Sequence, residues 1–198
     1  MRPIVALLVV GGLWGCTGAP GSAPAEPLPV VAVVPGQATA VDVGRYAPVT
    51  FRPPPGIDVS VAGDRAEVRV GPAFEGHALV PFESGGATYA LAVEGPARQR
   101  FRLTFLGRRA GDATVVDFRL THVGDGPPPE LDEEDALALW GDRPVSDNAI
   151  DVDVGDGVVG VDLDAVGPER GGLRVAVGIG GAVSNWVEVA VEGRRVQP

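Results

Sequence analysis

Apolar and polar residues alternate one by one through much of the chain between Val30 and Val191, the period of a strand with one face buried and the other wet. Three stretches fold back on themselves with matching apolar faces. Around Gly63-Asp64 as a two-residue turn, Val61 opposes Ala66, Val59 opposes Val68 and Ile57 opposes Val70, while the other face sets Asp58 against Arg69. Around Gly85-Gly86, Phe82 opposes Tyr89, Val80 opposes Leu91 and Ala78 opposes Val93, and His77 falls opposite Glu94. Around Asp156-Gly157 the predicted pairs are Val154 with Val159, Val152 with Val161 and Ile150 with Leu163; a slip of one residue would place aspartates among the valines. Further alternating runs lie at Val30–Val34, Ala40–Val43, Arg100–Phe105, Val115–Val123, Leu173–Val177 and Trp186–Val191. Short strands at this spacing, joined by Gly and Pro turns, predict an all-β chain of antiparallel sandwiches.

One helix is predicted, Glu130 to Trp140, after Pro127-Pro128-Pro129 and with acidic residues in its first turn. One alternating pattern stops at Gly95-Pro96 and another begins in an Arg-rich stretch, which divides the chain into modules over 30–95 and 96–198, the second with an acidic insert over 124–149. Residues 16–29, Cys16 followed by a stretch rich in Gly, Ala, Ser and Pro with one charge, Glu26, have little to bury and read as a tether.

Composition sharpens the exclusions. The 198 residues include 29 Gly and 19 Pro, which oppose a helical scaffold. Lysine is absent, and with it any P-loop, Schiff-base or Ser-Lys chemistry. A net charge of −10 opposes a phosphate backbone, so nucleic acid is not an expected partner.

Met1-Arg2-Pro3 precedes an apolar run from Ile4 to Leu13, the layout of an export signal over 1–15 and too short to span a bilayer as a stable helix. It ends in Leu13-Trp14-Gly15-Cys16, which resembles the lipobox of bacterial lipoprotein signal peptides. The resemblance implies a diacylglyceryl group on Cys16, and the lone cysteine of an exported chain has no disulfide partner to claim it. With Thr17 following the cysteine in place of Asp, it implies the outer membrane in a Gram-negative cell, otherwise the outer face of the plasma membrane. The stretch from Leu173 to Val189, with a Gly-rich turn and the pair Ser184-Asn185 before the last strand, resembles the closing hairpin of IPT/TIG-type immunoglobulin-like modules. That resemblance implies an immunoglobulin-like accessory or adhesion module, and the chain is read as two small antiparallel immunoglobulin-like β-sandwiches.

Candidate chemistry is sparse. Gly155-Asp-Gly-Val-Val-Gly160 has dinucleotide-loop spacing but runs into a strand, with no helix N-terminus to receive a pyrophosphate. His77 and His122 lack metal-ligand spacing; His77 reads as a surface pair with Glu94 and His122 as a packed or edge ring. Thirteen carboxylates lie between Asp125 and Asp164 against Arg143 alone. Within them Asp151 is predicted opposite Asp162, with Asp153 one pair along and Asp147 and Asn148 upstream. This is either a calcium site or a solvated acidic face. Trp186 shares a strand face with Glu188 and Glu192, which suits sugar stacking; the alternative is that the acidic insert covers it, with Trp140 nearby.

Three functions remain open. The first is a lipid-anchored surface or periplasmic binding or spacer protein, with no catalytic activity and no resident cofactor. The second is a carbohydrate-contacting accessory module of secreted glycosidases, and the third a hydrolase using the acidic insert. The expected partners are a membrane through the anchor and a polysaccharide or surface protein.

Overall fold

The computed structural model describes residues 26–125, 130–153, 156–166, 170–179, 181–192 and 195–197; Cys16 and the predicted leader lie outside them. The first module holds β1 (Val31–Ala32), β2 (Ala38–Asp42), β3 (Thr50–Phe51), β4 (Ile57–Ala62), β5 (Arg65–Val70), β6 (His77–Ser84) and β7 (Ala87–Glu94). Its two sheets run in the order β1-β7-β6-β3 and β2-β5-β4. Between them Val41, Val43, Ala66, Val68 and Val70 meet Val80, Phe82, Leu91 and Val93, all buried. The hairpin pairs predicted around Gly63-Asp64 and Gly85-Gly86 form as read, including His77 opposite Glu94.

The second module comprises β8 (Arg98–Gln99), β9 (Phe101–Arg109), β10 (Asp112–His122), β11 (Ala136–Trp140), β12 (Arg143–Pro144), β13 (Ile150–Asp153), β14 (Val158–Asp162), β15 (Arg170–Ile179), β16 (Ala182–Val183), β17 (Val187–Glu192) and β18 (Arg195–Gln197). One sheet has the order β13-β14-β10-β9; the other is built on β15, which pairs with β11, β16 and β17. Phe101, Leu103, Val116, Phe118, Val159 and Val161 face Ala138, Trp140, Leu173, Val175 and Val189 across the core. Pairing is antiparallel throughout the described residues except for β1 with β7 and β8 with β16.

Two sequence expectations are corrected here. The stretch 130–140 contains no α-helix: a 3-10 turn at Glu133–Asp135 is closed by a reciprocal capping box between Asp132 and Asp135, and Ala136–Trp140 continues as a strand of the second module's sheet. The third hairpin pairs Ile150 with Val161 and Val152 with Val159, two places from the predicted register. Beside the turn the Asp153 side chain accepts a hydrogen bond from the Asp156 amide at 3.0 Å, as aspartates at turns do. A two-residue slip keeps every apolar side chain on its own face, so alternation does not distinguish the two registers.

The modules touch through the outer faces of their sheets. In β7, Leu91 and Val93 belong to the first core, while Ala90 and Ala92 point the other way and are equally buried. They meet Leu139, whose neighbours Ala138 and Trp140 face the second core, and Val30, Leu79 and Trp186 pack around this third cluster. Alanine at 90 and 92 permits the close approach of the two sheets.

Candidate functional site

The predicted calcium face is differently built. In the observed register Asp151 lies opposite Gly160, and Asp162 pairs with Val115 on β10. Arg109 reaches Asp117 at 3.0 Å and Asp151 at 3.2 Å, so the cation between these acids is the protein's own guanidinium. Its neighbours, Asp117 first, hold Arg109 above its ordinary pKa. Asp153 and Asp162 instead cap local turns, accepting from the amides of Asp156 and Asp164. Among the described residues no group of three His, Cys, Asp or Glu side chains could hold a metal ion.

Gly160 gives Arg109 its path: a Cβ there would lie 2.5 Å from Arg109 Nη2 and 3.3 Å from Asp117 Oδ1. Gly160→Ala is therefore expected to lower stability by about 1 kcal/mol, the lower end for overpacking because a flexible side chain can yield. Urea unfolding checks this, and the loss should shrink in an Arg109→Ala background, where only the looser contacts with Val115 Cγ1 at 3.2 Å and Asp117 Oδ1 at 3.3 Å remain.

Trp140 is a core residue, 6% exposed, and is not available to a ligand. Trp186 is partly buried at the module junction, with its ring centroid 5.4 Å from that of His77. His77 is not a simple surface pair with Glu94, since its Nε2 lies 2.9 Å from the Ser184 carbonyl across the junction. His122 packs against Phe101 and lies 3.4 Å from an Arg100 nitrogen. The Ser184-Asn185 pair has a structural task. Ser184 Oγ accepts from the Val177 amide, and the Asn185 side chain bonds both the N–H and the carbonyl of Leu103, closing the free edge of β9.

The group that sequence reasoning missed is Asp142. Its carboxylate is 3% exposed and sits in the Gly141-Asp142 turn between β11 and β12, with Gly141 at φ 60°. Arg174 donates to Oδ1 at 2.9 Å and the Leu28 amide to the same oxygen at 2.7 Å. Arg45 and Tyr46 donate to Oδ2 at 2.5 and 2.6 Å. The Asp142 carbonyl accepts from the Ala90 amide at 2.7 Å, so this turn also covers an open stretch of the β7 edge. Arg174 reaches on to the Leu28 carbonyl at 2.5 Å and the Gly141 carbonyl at 2.7 Å. Tyr46 and Leu28 belong to the first core, and Asp142 and Arg174 come from the second module. Burial, then the bonded Asp142, pushes the Tyr46 phenol up to about 12, so it remains a donor across the physiological range.

Two open grooves flank the junction. One, of about 610 Å³, runs along Glu26–Val30 beside Asp42, Arg45 and Glu188. The other, of about 520 Å³, lies between Val30 and Glu94 on one side and Gln99, Asn185 and Trp186 on the other.

No protein-family model matches the chain, and no curated protein matches its sequence. Among solved structures it is similar to a three-domain immunoglobulin segment of titin, with 12% identity and a TM-score of 0.32 over 85% of this chain and 64% of that one. It is also similar to domains 5–6 of the S-layer protein SbsC, with 18% identity and a TM-score of 0.26 over 82% of this chain and 93% of that one. The two-immunoglobulin N-terminal module of the Drosophila receptor protein tyrosine phosphatase DLAR gives 10% identity and a TM-score of 0.30 over 85% and 96% of the two chains. Overlaps this loose carry neither family nor function to this chain.

Proposed function

We propose that this chain is an exported, lipid-anchored spacer and binding protein that presents two fixed β-sandwiches at a membrane surface and has no catalytic activity of its own. The observation that supports it most strongly is the clamp on Leu28. Its N–H is held by Asp142 and its carbonyl by Arg174, both from the second module, while its side chain lies in the first core. Leu28 follows Cys16 by twelve residues, a span of at most about 40 Å. A pull on an anchor at Cys16 would therefore reach the seam between the modules first and be shared by both. The Leu13–Cys16 motif, with Thr17 after it, favours the outer membrane in a Gram-negative cell.

Cys16→Ser tests the anchor. The native protein should incorporate labelled palmitate and sediment with membranes, because several acyl chains at about 0.8 kcal/mol per buried methylene hold it there; the variant should do neither. Equal labelling of the two would overturn the anchor. The carbohydrate-contacting reading is favoured by a separate observation, the groove beside Trp186.

A further inference from the structure

We propose that this groove is a binding site for a neutral saccharide, its apolar face against the Trp186 indole and its hydroxyls on Glu94 and Gln99. This deepens the binding half of the function proposed above and rests on it, while the anchor is tested separately by palmitate labelling. The groove holds about 520 Å³, within the range of small-ligand sites, about 300–1,000 Å³. Among the described residues that line it Glu94 is the only charged one, so an anionic ligand is opposed and an uncharged one is not. Glu94 and Gln99 are exposed, and their side chains make no hydrogen bond or ion pair among the described residues. They are therefore free to accept from and donate to hydroxyls.

Trp186 lines the groove while its Nε1 is buried without an acceptor, so the part of the side chain that can meet a ligand is ring carbon. The C–H face of a pyranose stacking on an indole completes the match.

The test is titration of the native protein with cellohexaose, maltohexaose, chitohexaose and xylohexaose, and with polygalacturonate as an acidic control, followed by tryptophan fluorescence and calorimetry. At least one neutral oligosaccharide should give a saturable change. Trp186→Ala should weaken it by about tenfold or more, and Gln99→Ala and Glu94→Gln by several-fold. If Trp186→Ala unfolds, the two exposed-site variants decide the matter, since neither side chain is part of a core. No saturable change with any neutral sugar, affinity unaltered in Gln99→Ala and Glu94→Gln, or a preference for polygalacturonate would each overturn the proposal.

Discussion

Asp142→Ala is expected to lower the unfolding free energy by about 3–5 kcal/mol, the range for removing one partner of a buried ion pair. The loss has a named origin. Arg174, 5% exposed, would keep its charge in the junction with only the carbonyls of Leu28 and Gly141 as acceptors, and the Leu28 amide and the Tyr46 hydroxyl would lose theirs. Arg45 contributes less, being about one-third exposed and able to turn to water. Against a typical domain stability of about 5–15 kcal/mol, a loss of this size is severe. Urea denaturation measures it. Asp142→Ala combined with Arg174→Met should recover part of the loss, because the stranded charge leaves with Arg174. A double variant no more stable than Asp142→Ala would show that the carboxylate is not needed to balance that charge.

Trp140→Ala should cost a similar amount, about 3–5 kcal/mol, as large-to-small changes at buried aromatics do. The indole lies across β15, where a Cβ at Gly171 would stand 2.6 Å from Trp140 Cε2, so the ring and the glycine are complementary. Gly171→Ala should then lose about 1–3 kcal/mol by overpacking. Since this clash exists only while the indole is present, the two losses should sum to less than additive in the double variant. Thermal melts of the four proteins check it, and strict additivity would contradict the contact.

Much of the scaffold was legible because turn chemistry and alternation agree: Gly63-Asp64 and Gly85-Gly86 each fix a hairpin whose apolar faces match. Residues 136–140 misled for a physical reason. Ala136, Ala138 and Trp140 face the core with period two, but Leu137 and Leu139 between them are apolar as well, since Leu139 is buried against the first module. A strand covered on both faces shows no alternation, and Ala, Leu and Glu favour helix when read locally. Asp142 was one of thirteen acids in its stretch, and Arg45 and Leu28, which meet it, lie 97 and 114 residues away. Arg109 was hidden in the same way, 42 residues from Asp151. Contacts at such separations are made by the packing of sheets, which local spacing does not record. Trp186 stood out as an oddity on its strand, and its place beside a polar groove gives that oddity a location.

The fixed junction between the two sandwiches is tested most directly by a spin-label distance. Cys16 is the only cysteine, so Cys16→Ser with cysteines at the exposed positions Ser60 on β4 and Thr121 on β10 (Ser60→Cys, Thr121→Cys) places one label on each module. Pulsed electron–electron resonance should give a single narrow distance distribution, and adding Asp142→Ala should broaden it. A broad or two-peaked distribution with Asp142 intact would contradict a junction held by that carboxylate, and with it the reading of the chain as a fixed spacer.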